Sequence, residues 1–160
     1  MSTNGRIYVF LKEEDRGTKK KFDLTKIPEG FDYNRDAGVM PRQVTIPADA
    51  ECISIYHHWD SYPSGLGRTL TKFYPDYEKA LNICLGGDTS TLNKHIIQYY
   101  PWRKEDWNDV KPSFHKKDNI KFPHEYNYLF ENGVWYVNSY SHPEWVEVKE
   151  YIKNYKDDED

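Results

Sequence analysis

The sequence predicts a single α+β domain, in which a small antiparallel sheet carries helices on one face. Three segments predict the strands of that sheet: the N-terminal run 6–12, the run 51–57 and a hairpin over 125–141. Between 64 and about 100 the apolar residues recur at helical spacing. The 160 residues are the size of one ordinary domain. We therefore expect one domain over 1–155, with a long insertion at about 13–49 and a frayed acidic tail at 156–160.

Composition excludes several classes of protein. No run of about 18 apolar residues occurs, which excludes a membrane-spanning helix. We therefore expect the protein not to associate with a membrane. The net charge of -4 argues against a protein that grips long nucleic acid through phosphate neutralisation. Aromatic residues make up 16% of the chain, so we expect a core built largely from rings. No apolar stretch follows the N-terminus, and Cys52 and Cys84 are too few for a disulfide framework, so a cytoplasmic location is expected.

The hairpin is the clearest local feature. Asn132-Gly133 is the preferred two-residue hairpin turn, because both positions tolerate a positive φ. Counting back from that turn pairs Phe130 with Trp135, Leu129 with Tyr136 and Tyr128 with Val137. One face of the hairpin then collects five large residues that we expect to face the core: Tyr126, Tyr128, Phe130, Trp135 and Val137.

The middle of the chain predicts helices. Ser64 caps a helix that Pro75 ends, and Asp76 caps a second helix over 77–85 that Gly86-Gly87 ends. A third helical segment is expected to begin at Thr89 or Ser90 and to stop at 101. Residues 102–123 predict mostly loop, and 144–155 fits a strand or a helix equally well.

The insertion predicts a surface excursion rich in proline and glycine. Its Lys19-Lys20-Lys21 triplet is typical of a solvated turn, and Gln43 to Ile46 predicts one short strand.

Residues 55–68 read I-Y-H-H-W-D-S-Y-P-S-G-L-G-R and carry the highest density of functional residue types. A strand delivers two histidines to its end, a turn presents aromatic and acidic groups, and a helix begins near Gly65. Backbone N–H groups at a helix start favour an anion, and aromatic rings stack on a base. The candidate ligand-binding residues are His57, His58, Trp59, Asp60, Tyr62, Gly65, Gly67 and Arg68.

Other interpretations of this segment stay open. Asp60 and the glycines can serve only the turn, and the rings can be core anchors. His58 and Asp60 can ligate a metal only with a third ligand, for which the chain offers His95, His115, His124 or His142. A histidine with Asp60 can act as a general acid or base. No Walker loop, G-x-G-x-x-G fingerprint or nucleophile motif accompanies the segment, so we predict no catalytic residue, no metal and no cofactor.

The run Y-H-H-W-D-S-Y-P-S-G-L-G over 56–67 resembles a family of small proteins of tailed phages and bacteria whose pattern is roughly Y-x-H-W-D-G-Y-P-x-G-x-G. This chain has Ser61 where the family has glycine, and it carries the long insertion at 13–49. The strong match covers about a dozen residues. The resemblance implies, by analogy, a phage protein that blocks host immunity.

The residues and the resemblance together predict a non-enzymatic binder of a small nucleotide-like anion. Such a protein sequesters an immune signalling molecule, as an anti-defence sponge, in the host cell cytoplasm. Homo-oligomerisation is plausible, because shared pockets bury small ligands well. Two alternatives are a protein-binding inhibitor of a host factor, through exposed tyrosines and tryptophans, and a phosphodiesterase that uses His57 or His58 with Asp60.

Overall fold

A computed structural model describes residues 3–27, 32–33, 43–93, 96–99 and 107–155. Within these residues the fold mixes strands and helices, as the α+β prediction requires. The strands are β1 (Gly5–Phe10), β2 (Lys19–Lys21), β3 (Asp32–Tyr33), β4 (Gln43–Thr45), β5 (Cys52–His57), β6 (Thr89–Leu92), β7 (Ile96–Tyr99), β8 (Ser113–His115), β9 (Tyr126–Glu131), β10 (Val134–Ser139) and β11 (Val146–Glu147). The α-helices are α1 (Arg68–Phe73), α2 (Tyr77–Leu85), α3 (Trp107–Val110) and α4 (Val148–Asn154).

The sheet is larger than predicted and mixed in direction. Nine strands of the described chain form it, in the order β11-β10-β9-β1-β5-β6-β7-β3, with β8 paired to β5. The pairs β1–β9, β5–β6 and β3–β7 are parallel. The prediction of a small antiparallel sheet is therefore wrong. Its physical reason is long-range: β9 returns beside β1 from more than a hundred residues away, and local pattern does not fix the direction of such a return.

The predicted hairpin is confirmed. The register pairs Phe130 with Trp135, Leu129 with Tyr136 and Tyr128 with Val137. Asn132 and Gly133 have φ values of 51° and 81°, as the turn requires. The five predicted core-facing residues are all buried in the main core.

The helices agree with the prediction in position up to 85, but the predicted Ser64 cap is wrong, because Ser64 lies inside a π-helical turn whose N-cap is Tyr62. A π-helical turn, Pro63–Gly67, leads into α1, and α2 covers the predicted 77–85 with Asp76 as its N-cap. The third predicted helix is wrong, since β6 and β7 occupy that segment as an antiparallel pair. Thr89 and Thr91 are β-branched, which favours a strand once the sheet edge at His57 is available for pairing. Residues 144–155 contain a strand followed by a helix, β11 and then α4.

The segment 102–123 contains more structure than the predicted loop. It includes α3 and β8, and β8 adds to β5 in antiparallel register. Residues 102–106 of this segment lie outside the described residues.

The described part of the insertion packs against the domain. The lysine triplet is strand β2, which pairs with β4 in a separate two-stranded ribbon, so the predicted turn is wrong and the predicted short strand is confirmed. Asp15 accepts hydrogen bonds from Tyr77 Oη at 2.6 Å and pairs with Lys20 Nζ at 2.9 Å. Residues 28–31 and 34–42 of the insertion, and the tail 156–160, lie outside the described residues.

Apolar clusters of unequal size pack on the two faces of the sheet. Helices α1, α2 and α4 share the main core with β1, β5, β9 and β10. The opposite face holds a smaller cluster around Tyr8, Cys52 and Leu129, covered by Ile120, Phe122 and Trp145. Polar side chains lie on that second face, where β1 and β5 run side by side. This second face positions the site described next.

Candidate functional site

Strand β5 and its end divide the predicted site between the two faces of the sheet. His57 points to the helix face and is fully buried, whereas His58 is half-buried and its Nδ1 lies 2.8 Å from Tyr56 Oη. Consecutive side chains of an extended segment point in opposite directions, which is why the two histidines separate. They therefore do not contribute to one site.

His57 is a structural residue of the core. Its Nδ1 lies 2.7 Å from Ser61 Oγ, and Ser61 Oγ donates to the His57 carbonyl at 3.3 Å. His57 Nε2 is buried with no hydrogen-bond partner among the described residues. Burial, with a smaller contribution from His58, lowers the pKa of His57 to about 3. The imidazole is thus neutral and inaccessible to a ligand.

The turn that follows β5 is fixed from several sides. Ser61 N–H donates to the Thr3 carbonyl at 2.9 Å, and Tyr128 Oη donates to the Ser61 carbonyl. Gly5 lies beneath this turn, because a Cβ there would stand 2.9 Å from Ser61 Cβ and 2.8 Å from the Tyr126 carbonyl oxygen. Asp60 takes a φ of 59° to complete the turn. These contacts explain the local shape without a ligand.

The predicted anion cradle at the helix start is closed by internal hydrogen bonds. Gly65 N–H donates to the Tyr62 carbonyl at 2.9 Å, and Leu66 N–H donates to the Asp60 carbonyl at 3.3 Å. The Tyr62 ring packs beside Gly65 and against the main core. These donors are therefore already used, and a phosphate gains little from them.

Gly67 is a packing glycine. It is buried, and a Cβ there would stand 2.8 Å from Val148 Cγ1 and 3.3 Å from a Tyr128 ring carbon. The glycine lets α4 approach the π-helical turn closely. No ligand reaches this position while α4 is in place.

The remaining predicted residues are exposed but do not converge. Trp59 is 46% exposed, and its ring meets His58 edge-on at 4.6 Å between centroids. Asp60 and Arg68 are exposed, and no described contact joins Asp60 to either histidine. Of the eight predicted residues, the structure brings together only His58 and Trp59 on a surface that a ligand can reach.

A second set of residues completes that surface on the same side of the sheet. Arg6 of β1 is the direct cross-strand neighbour of Tyr56 on β5, and the Tyr56 ring lies 5.8 Å from His124 and 5.9 Å from His58. We call these five residues the Arg6 surface: Arg6, Tyr56, His58, Trp59 and His124. The surface combines one cation, two imidazoles and two larger rings.

The Arg6 guanidinium donates hydrogen bonds to two serine hydroxyls. Arg6 Nε donates to Ser54 Oγ at 2.9 Å, and Nη2 donates to Ser113 Oγ at 3.1 Å. Ser54 Oγ also lies 2.7 Å from His115 Nε2. A serine next to a histidine suggests a nucleophile and its base, but Ser54 is fully buried. The pair therefore positions Arg6 and does not attack a substrate.

The charge of Arg6 is not neutralised by an ion pair within the described part of the chain. The salt bridges there join other residues, and Arg6 makes only its two serine contacts. Asp88 interacts electrostatically with Arg6. Burial raises the pKa of Asp88, while the Tyr56 N–H hydrogen bond and the Arg6 charge act to lower it. Burial first, and the Arg6 charge second, lower the pKa values of His115 and His124. Both shifts favour the neutral form of the imidazole.

The sequence contained one signal for Arg6 that the prediction did not use. Along β1 the residues on one face are Arg6, Tyr8 and Phe10, so a charge interrupts an otherwise aromatic face. A charged side chain inside a two-sided sheet needs a partner, a route to solvent or a ligand. His124 and His115 gave no such signal, because only the fold brings them to this face.

No group of three or more potential metal ligands occurs within the residues that the structure describes. Among those same residues, no helix is long and apolar enough to cross a membrane. The chain matches no protein-family model, no curated protein and no solved structure.

Proposed function

We propose that the protein binds a small nucleotide-like anion at the Arg6 surface and sequesters it without catalysis. The observation that carries this proposal is the half-buried residue Arg6, whose guanidinium is held by two neutral hydroxyls and makes no ion pair in the described chain. A guanidinium without an ion-pair partner is available to a bound anion, and charge-assisted hydrogen bonds to such an anion are about twice as strong as neutral ones.

The rings beside Arg6 support a ligand that carries a base. Trp59 is exposed at the edge of the surface, and His58 supports it from the side. Stacking of a base on an aromatic side chain contributes about 1–3 kcal/mol. Guanidinium plus exposed indole is a combination suited to a nucleotide.

In the phage setting that the resemblance implies, the ligand would be an immune signalling nucleotide, and the protein an anti-defence sponge in the host cytoplasm. A shared pocket between two copies of the chain remains part of this proposal. The phosphodiesterase alternative has less support, since His57 is buried and no described contact joins Asp60 to a histidine.

A protein-binding function is the second candidate, on a different surface. Tyr140 is 71% exposed, and the His142 ring stacks on exposed Tyr155 at 3.7 Å between centroids. Exposed aromatic residues are enriched at the centres of protein interfaces. This patch would bind a host factor in place of a small molecule.

Calorimetry with 3′,5′-cyclic AMP and 3′,5′-cyclic GMP tests the proposal. We expect binding by the unchanged protein, weakening of about 5- to 150-fold in Trp59→Ala from the lost stacking energy, and a comparable or larger loss in Arg6→Gln. Arg68→Gln is the matched control, because Arg68 is an exposed arginine at the predicted helix-start site. The nucleotide should be recovered intact after denaturation.

Three results contradict the proposal in different ways. Loss of binding in Arg68→Gln alone returns the site to the helix start. Conversion of the nucleotide to a product indicates a hydrolase. Absence of binding to both nucleotides favours the protein partner, which a Tyr140→Ser and Tyr155→Ser double variant then tests by loss of that partner.

A further inference from the structure

Two buried polar groups lie side by side in the sheet with hydrogen-bonding capacity to spare. They are His57 Nε2, at the end of β5, and Thr89 Oγ1, at the start of β6. Both residues are fully buried, and neither atom has a hydrogen-bond partner among the described residues. Buried polar groups of native proteins are nearly always paired with protein or with ordered water, because an unpaired group costs its full desolvation penalty. This pair of atoms therefore needs a partner.

The sheet projects the two side chains from the same face. His57 and Thr89 are register partners at the point where β5 and β6 pair in parallel. The next backbone contact confirms that pairing, since the His58 N–H donates to the Thr89 carbonyl at 3.1 Å. Register partners lie on one face of a sheet, and neighbouring strands are about 4.8 Å apart. That spacing leaves room for one small molecule to hydrogen-bond to both side chains.

The chemistry of the pair fits a neutral molecule that both donates and accepts hydrogen bonds. His57 Nδ1 lies 2.7 Å from Ser61 Oγ, so Nε2 is the ring nitrogen that still lacks a partner. In a neutral imidazole Nε2 either donates or accepts, and a threonine hydroxyl can do both. Burial lowers the pKa of His57 to about 3, so this region disfavours a charged ligand. A water molecule satisfies both groups with either tautomer of the imidazole.

We infer that one water molecule is bound inside the protein between His57 Nε2 and Thr89 Oγ1. Internal waters typically make about three hydrogen bonds, with a range of about 2–4, to buried polar groups that would otherwise be unpaired. The two side chains supply two of these bonds. The water would link β5 to β6 at the residue directly before His58, and so brace the strand end that carries His58 and Trp59. This inference is independent of the proposed function.

A crystal structure of the unchanged protein, at a resolution that shows ordered water, tests the inference directly. We expect a water peak at about 2.7–3.2 Å from both His57 Nε2 and Thr89 Oγ1. A direct hydrogen bond between these two atoms, or the pairing of either atom with another protein group in place of water, overturns the inference.

Water ¹⁷O magnetic relaxation dispersion tests the same inference in solution, because it counts the water molecules held inside a protein. Thr89→Val keeps the shape of the side chain and removes Oγ1, and Thr91→Val is the matched control at a partly exposed position of the same strand. We expect Thr89→Val to lose about one internal water and Thr91→Val to lose none. An unchanged count in folded Thr89→Val, or an equal loss in both variants, overturns the inference. If Thr89→Val does not fold, the crystal structure of the unchanged protein still decides.

Discussion

Adding one methyl group at Gly67 tests whether this glycine serves packing. Gly67 has helical dihedrals, φ -59° and ψ -44°, so alanine fits the backbone and gains about 1 kcal/mol in helix propensity. Its Cβ would stand 2.8 Å from Val148 Cγ1, and overpacking of a core costs about 1–3 kcal/mol. We therefore expect Gly67→Ala to lower the free energy of unfolding by about 0–2 kcal/mol.

The companion change is Val148→Ala, which removes the atoms that the new methyl meets. Val148 is fully buried, and deletion of its two methyl groups should cost about 2–3 kcal/mol alone. In the double variant the new methyl occupies part of the space vacated by valine. We expect a favourable coupling of about 1–2 kcal/mol between the two changes.

Urea denaturation of the four proteins measures this coupling. Gly133→Ala combined with Val148→Ala is the control, since no atom lies within 4 Å of a Cβ built at Gly133, and those two changes should be additive. Additivity of Gly67→Ala with Val148→Ala to within about 0.5 kcal/mol would refute the packing role.

Two further predictions concern titratable groups of the core. Burial lowers the pKa of His57 in the folded protein, so its contribution to stability is complete above the ordinary value of 6.5 and falls as the pH drops from 6.5 towards 3. The loss should reach about 1.4 kcal/mol per pH unit, and His57→Gln should reduce this slope in urea denaturation between pH 7 and pH 4.5. At Asp15, burial alone would raise the pKa, but hydrogen bonds from Tyr77 and Lys20 lower it below the ordinary 3.8. Tyr77→Phe should therefore lower the free energy of unfolding by about 1.5–3 kcal/mol at pH 7. The loss should be smaller below pH 3.8, because the Asp15 carboxyl is protonated in the unfolded chain at that pH. An equal loss at both pH values would contradict the assigned hydrogen bond.

The sequence correctly predicted those elements whose ends are set by neighbouring residues. The Asn132-Gly133 turn fixed the hairpin register, and Asp76 with Gly86-Gly87 fixed both ends of α2. The segment 89–99 was predicted incorrectly, because its apolar spacing fits a helix while its β-branched residues fit a strand. Pairing with the end of β5 decides between them, and that pairing is a tertiary property.

The site was predictable in part for the same reason. The segment 55–68 indicated His58 and Trp59, which do lie on an accessible surface. At the predicted helix-start site, the Gly65 and Leu66 N–H groups already donate to the Tyr62 and Asp60 carbonyls, and residue spacing alone does not show these hydrogen bonds. Arg6 lies about 50 residues earlier in the chain, and only the antiparallel pairing of β1 with β5 places it beside Tyr56.

An NMR titration of the ¹⁵N-labelled protein with 3′,5′-cyclic AMP tests the central claim most directly. The Arg6 Nε–H and the Trp59 indole N–H report on the Arg6 surface, and the Gly65 and Leu66 amides report on the helix start. We predict saturable shifts at Arg6 and Trp59, with the two amides unmoved. Shifts at Gly65 and Leu66 with Arg6 and Trp59 unmoved would contradict the account.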